Sequence, residues 1–164
     1  MDPHLKETIM MDGKNTEFER KRNRLKHYDY STNGSYFVTV CAENRRCIFG
    51  TIYPGSESVE LTPCGKALTS AIEKTTETYP GVEIPEYVIM PNHVHMIIEL
   101  KNQKKTVSQI VSYFKWNASR ATGARLWQKT SYDHVIRNEK DYLAILEYMA
   151  FNPKQWVLDK YYKE

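Results

Sequence analysis

The chain has 164 residues, 23 Lys and Arg against 20 Asp and Glu, a formal net charge of +3 and three cysteines. That length fits one domain around one hydrophobic core. Cys41, Cys47 and Cys64 are odd in number and form no CxxC pair, which excludes a disulfide scaffold and points to a reducing compartment. No apolar run nears the roughly 18 residues of a membrane helix, and "MDPHLKETIMMDGKN" lacks a signal-peptide core. The expectation is a soluble, cytoplasmic protein with no membrane partner.

Residues 1–30 read as a polar, loosely ordered arm, and residues 31–164 as the folded domain. The arm carries "ERKRNRLKHYDY", which concentrates Arg20, Lys21, Arg22, Arg24 and Lys26. "SYFVTVC", residues 35–41, is β-branched and aromatic and reads as a buried strand. "CIFGTI" and "SVELT", separated by "YPGSE", form a small hairpin. In "TPCGKALTSAIEKTTETY", Thr62 caps a helix with Pro63 at its first position, and Pro80 and Gly81 end it. "EYVIM" and "HVHMIIEL" are strands joined at Pro91 and Asn92. "KNQKKT" is a lysine loop. "TVSQIVSYFKWNASRAT" is an amphipathic helix on Ile110, Phe114 and Ala118. "YDHVIRN" is a short strand. "NEKDYLAILEYMAFNP" is a last helix, capped by Asn138 and stopped by Pro153. This order predicts an α+β fold of ferredoxin-like type (βαββαβ). It has an antiparallel sheet with helices on one face, a hairpin inserted after the first strand, and an extra C-terminal helix.

In the strand "HVHMIIEL", residues two apart share a face. Val94, Met96, Ile98 and Leu100 make a wholly apolar face that belongs in the core. His93 and His95 therefore point to the opposite, more open face, with Cα atoms roughly 6.5 Å apart, close enough for two rings to converge on one cation. Three readings fit the pair: half-buried histidines without chemistry, a histidine-triad phosphoesterase, or a two-histidine metal site acting on phosphate. The triad needs a third histidine where Ile97 stands. In the last helix, Tyr142, Ile145, Leu146 and Met149 form the apolar stripe. At about 100° per residue, Tyr148 projects roughly 120° from the stripe's centre, and Asn152 lies about 40° from Tyr148. The two are i, i+4 neighbours at the flank of the packed face.

"MPNHVHMII" resembles the His-hydrophobic-His (HUH) motif of the single-tyrosine HUH transposases, above all the REP-associated tyrosine transposases. "YDYSTNGSYFVTVCAENRRCIFG" is similar to the family's first strand and its lead-in. "LWQKTSYDHVIRNEKDYLAILEYMAFNP" is similar to its ordered Trp-Gln, Asp-His, Ile-Arg-Asn, Asp-Tyr and Tyr-x3-Asn-Pro signature. The matches span roughly residues 20 to 156.

The resemblance implies a DNA transposase: a single-stranded DNA endonuclease and strand transferase directed by sequence or by a hairpin. Tyr148 would be the nucleophile and would leave a 5′-phosphotyrosine, with Tyr113 as the fallback. His93, His95 and Asn152 would hold a divalent metal, Mg²⁺ or Mn²⁺; relatives often carry Gln where Asn152 stands. Single-stranded or hairpin DNA would be the partner, and a homodimer is allowed because relatives include monomers and dimers. Arg20, Arg22, Arg24, Lys26, Lys104, Lys105, Lys115 and Arg120 are candidate DNA-backbone contacts and Trp116 a candidate base stacker. Trp127 reads rather as core, and His134 as a structural hydrogen bonder that alternates onto no ligand face. Two rival readings remain: an inactive, domesticated DNA-binding module of the same fold, and a metal-dependent phosphodiesterase that uses water.

Overall fold

The computed structural model describes residues 33–158. β1 (Gly34–Cys41) is a central strand. It pairs antiparallel with β5 (His93–Leu100) on one side and with β6 (Tyr132–Ile136) on the other. β4 (Val82–Met90) pairs antiparallel with β5 and closes that edge, giving the order β4-β5-β1-β6. This is the strand order of a ferredoxin-like sheet. Between β1 and β4, β2 (Gly50–Thr51) and β3 (Glu60–Leu61) make the small inserted hairpin, followed by α1 (Pro63–Thr78). α2 (Val107–Thr122) links β5 to β6, and α3 (Glu139–Gln155) follows β6.

The helix starts are set by local chemistry. The Thr62 side chain accepts the Gly65 N–H at 3.1 Å, with Pro63 where no N–H is needed. Thr106 and Gln109 form a reciprocal capping box on α2, and Gly123 ends that helix at φ 66, a conformation glycine adopts at no steric cost. Asn138 caps α3 by accepting the Asp141 N–H at 2.9 Å.

α1 and α2 cover one sheet face. Tyr36, Val38, Val40, Val94, Met96, Ile98 and Leu100 meet Leu68, Ile72, Ile110 and Phe114 there. Trp127 is buried in that core, as expected, between Phe49 and Phe114, with ring centroids 5.2 and 5.4 Å away. α3 lies across the opposite face, where Ile145 and Met149 pack on Phe37 and Ile97.

Three local expectations need correcting. β4 begins at Val82, earlier than the apolar run at Glu86 indicates. Pro85 sits at a register shift between Glu83 and Glu86, tolerated because β4 is an edge strand. α3 does not stop at Pro153 but runs to Gln155 and into a 3-10 turn, Trp156–Leu158. Pro153 removes one hydrogen bond in the last turn, while buried Trp156 packs with Ile52 and Met90 and holds the chain end down. Finally, the histidine face is not open, because α3 covers it.

Candidate active site

His93 and His95 are consecutive same-face residues of β5, facing Cys41 and Thr39 of β1 in the register. With α3 above them they are 8% and 4% exposed. Their Nε2 atoms stand 3.0 Å apart. The far nitrogen of each ring has an oxygen partner: His93 Nδ1 lies 2.6 Å from Asn92 Oδ1 and His95 Nδ1 2.8 Å from Thr39 Oγ1. Those partners favour the Nδ1–H tautomer and turn the Nε2 lone pairs toward one point. Phe37 stacks on His95 at 5.1 Å and 25°, fixing its ring plane.

Burial pushes the His93 imidazole down to about 3, Arg45 pushes the same way, and a hydrogen bond from Asn152 opposes both. His95 is held well below its ordinary value by burial, then by His93 and Arg45, again against Asn152. Both rings are therefore neutral at physiological pH, the state a metal ligand needs. Asn152 is itself buried and sits beside both rings, where its amide could supply an oxygen donor.

This donor set fits a hard divalent ion. Two nitrogens in adjacent octahedral positions, each about 2.1 Å from the ion, stand about 3.0 Å apart, which agrees with the observed spacing. Among the described residues no group of three His, Cys, Asp or Glu could hold a metal, so the third protein donor would be an amide oxygen. Asn92 Nδ2 is buried beside the pair with no hydrogen-bond partner among the described residues.

Tyr148 comes from α3, half-buried at the flank of the Ile145–Met149 stripe. Its ring centroid lies 5.4 Å from that of His95 and 6.1 Å from that of Phe37. Tyr113 is elsewhere. It belongs to α2, on the other sheet face, where its hydroxyl and that of Thr78 are 2.9 Å apart.

The remaining candidates are dispersed. Lys104 and Lys105 are exposed in the β5–α2 loop. Trp116 is 52% exposed on α2, with the Arg120 guanidinium 5.1 Å over its ring. Lys115 donates from Nζ to the Gln128 carbonyl at 3.0 Å, and burial lowers its pKa. Arg20, Arg22, Arg24 and Lys26 lie outside the described residues. His134 departs from its expected position: it pairs with Phe37 and so shares the face of His95, with Phe37 standing between.

Sequence reasoning missed Thr39, Asn92, Phe37 and Arg45. Thr39 looked like an ordinary strand residue and Asn92 like a turn former. Arg45 sits at φ 53 directly after Asn44 at φ 56, and two consecutive left-handed non-glycine residues are a conformation that sequence does not announce.

The family model for IS200-like transposases matches residues 30–138. The chain belongs to the IS200-like transposase family. The matched segment contains both histidines and ends before α3, so it takes in neither Tyr148 nor Asn152. A REP-associated tyrosine transposase of Escherichia coli K12 is 32% identical over 131 residues, covering 78% of this chain and 72% of that protein. An uncharacterised protein of Haemophilus influenzae is 36% identical over 169 residues, covering 87% and 93%. Among solved structures, a REP-associated tyrosine transposase bound to a REP hairpin superposes with a TM-score of 0.64 at 29% identity, covering 80% of this transposase-family chain and 74% of the other.

Proposed function

We propose that this protein cleaves and rejoins single-stranded DNA beside a hairpin, with Tyr148 as nucleophile and His93, His95 and Asn152 as ligands of a divalent metal. One observation carries the reading. Two neutral, oriented imidazoles converge at 3.0 Å, and the helix that brings Asn152 to both also sets Tyr148 5.4 Å from His95.

The bound ion, Mg²⁺ or Mn²⁺, would draw charge from the non-bridging oxygens of one phosphate. Nitrogen ligands tilt the choice toward Mn²⁺. The chain's own residues do the rest. Asn92 and Thr39 hold the rings, and α3 holds the tyrosine against them. The Tyr148 hydroxyl gives up its proton as its oxygen forms a bond to phosphorus, the bond to the 3′-oxygen breaks, and that oxygen leaves as a 3′-hydroxyl by taking up a proton, so the step is proton-neutral overall. A 3′-hydroxyl reverses the step, so the bond energy stays in the phosphotyrosine link and no nucleotide triphosphate is required.

The solved relative's REP hairpin supports hairpin DNA as the partner. Lys104 and Lys105, in the loop past the Leu100 end of β5, would hold the DNA backbone away from the reacting phosphate, and Arg20, Arg22, Arg24 and Lys26 of the arm would add further backbone contacts. Trp116 and Arg120, on the far sheet face, would meet DNA beyond the reacting strand. Lys115, held by the Gln128 carbonyl, would act by fixing α2 against the loop before β6.

The test incubates end-labelled hairpin oligonucleotides with Mn²⁺, Mg²⁺ or a chelator and resolves the products on denaturing gels. The proposal expects metal-dependent cleavage and a slow-migrating covalent species. Cleavage without such a species would favour the water-using hydrolase, and binding without cleavage an inactive DNA-binding module.

A further inference from the structure

The segment 42–49 is tied at both ends to the turn that precedes His93. Ala42 donates its N–H to the Asn92 carbonyl at 2.9 Å, and Phe49 donates to the Pro91 carbonyl at 2.9 Å. Its midpoint is therefore held beside the histidines. Two arginines stand there and diverge. Arg46 is committed structurally: it donates to the Glu43 carbonyl at 3.3 Å and the Arg125 carbonyl at 3.1 Å, and lines a cavity of about 850 Å³ on the α1–α2 side. Arg45 lines no part of that cavity. It is half-buried, and its guanidinium makes no hydrogen bond or ion pair among the described residues. The Arg45 backbone N–H donates to the Ala42 carbonyl at 3.0 Å, which keeps the residue one turn from the Asn92 contact, and its positive charge is among the causes that lower His93 and His95.

A half-buried guanidinium without an acceptor is poorly compensated unless an anion arrives. Its placement also works against a bare cation at the histidine pair, since the two positive charges repel. An anion between them resolves both problems. A planar fork of N–H donors suits a phosphate better than any other side chain does.

We propose that Arg45 binds the reacting phosphate: its guanidinium donates to a non-bridging oxygen of the phosphodiester seated at the His93–His95 pair. Arg45 is then a catalytic residue in the sense of touching substrate, and it makes phosphate and metal mutually dependent. The phosphate screens the ion from Arg45, so each binds better with the other present. This inference rests on the proposed use of the histidine pair for phosphate, but not on which residue is the nucleophile.

The experiment measures affinity for a hairpin oligonucleotide with single-stranded flanks, without metal, so that no cleavage intervenes. One methylphosphonate at a time replaces a phosphate and removes its charge. Arg45→Asn is the main variant, because asparagine tolerates the left-handed backbone at this position. Arg45→Lys keeps the charge without the fork. Wild type should lose about tenfold in affinity at one phosphate position, and Arg45→Asn should lose about tenfold with normal DNA. Arg45→Asn should then be indifferent to the methylphosphonate at that same position, while Arg45→Lys recovers part of the loss. Mn²⁺ titrated alone should bind Arg45→Asn at least as tightly as wild type. If Arg45→Asn binds DNA like wild type, or if every methylphosphonate costs both proteins equally, the assignment is overturned. The covalent species is scored separately with Mn²⁺, so a failure of Tyr148 as nucleophile leaves the Arg45 result readable.

Discussion

Tyr148 on α3 and His95 on β5 meet as rings 5.4 Å apart, and Phe37 of β1 touches both, at 6.1 and 5.1 Å. The three-ring contact couples the proposed nucleophile to a proposed metal ligand through packing. Phe37→Leu should therefore lower stability by about 1–3 kcal/mol and slow cleavage more than it weakens DNA binding. Urea unfolding and paired rate and affinity measurements check this. Unchanged cleavage in a destabilised protein would detach the packing from the chemistry.

Asn92 and Thr39 hold the outer nitrogens of the histidines at 2.6 and 2.8 Å. Asn92→Ala and Thr39→Val should each weaken Mn²⁺ affinity by roughly 10- to 100-fold while both imidazoles remain. Calorimetric titration reads the change. Affinities equal to wild type would mean that the rings keep their orientation without these oxygens.

The metal-free protein should lose stability in acid. Burial holds His93 at about 3 when folded, and Arg45 adds to that depression. An unfolded histidine titrates near 6.5. Between those values the unfolded chain binds a proton that the folded one excludes. The contribution is fully present above about pH 6.5 and is lost as pH falls toward 3, with a slope approaching about 1.4 kcal/mol per pH unit for each such histidine. His95 is depressed in the same direction and steepens the loss. Denaturant melts from pH 7 to pH 4 measure the slope, and His93→Gln should reduce it. A flat profile in wild type would show that the rings are solvated.

DNA binding should separate the lysines. The exposed pair Lys104 and Lys105, changed together to Ala, should flatten the log–log dependence of affinity on salt by roughly 0.7 to 0.9 for each phosphate that the variant no longer neutralises. Lys115→Ala removes a charged donor from the Gln128 carbonyl and should lower stability with little change in that slope. The reverse pattern, read from binding isotherms across salt concentrations, would exchange their roles.

Much of this arrangement was legible in advance, for identifiable reasons. The wholly apolar set Val94, Met96, Ile98 and Leu100 fixes which way His93 and His95 face, and the i, i+4 relation ties Tyr148 to Asn152. Thr62, Thr106 and Asn138 announce the helix starts. What escaped depends on packing between distant segments. A strand's own pattern does not say what covers its second face, so the burial of both histidines under α3 was not visible. Pro153 marks a helix end by its chemistry, and only the burial of Trp156 against Ile52 and Met90 explains why the helix continues. Arg45 is one arginine in a polar stretch until the loop closes on the Pro91–Asn92 turn.

The most direct measurement is to identify the residue that becomes bonded to DNA. A 3′-labelled hairpin oligonucleotide is incubated with Mn²⁺ and wild type, Tyr148→Phe or Tyr113→Phe, and the denaturation-resistant species is digested and mapped by mass spectrometry. Tyr148→Phe removes one oxygen and keeps the ring against His95 and Phe37, so folding and DNA binding should persist. The account predicts a DNA-modified peptide around Tyr148 from wild type and from Tyr113→Phe, and none from Tyr148→Phe. An adduct that survives in Tyr148→Phe, or cleavage by wild type with no adduct at any tyrosine, would contradict it.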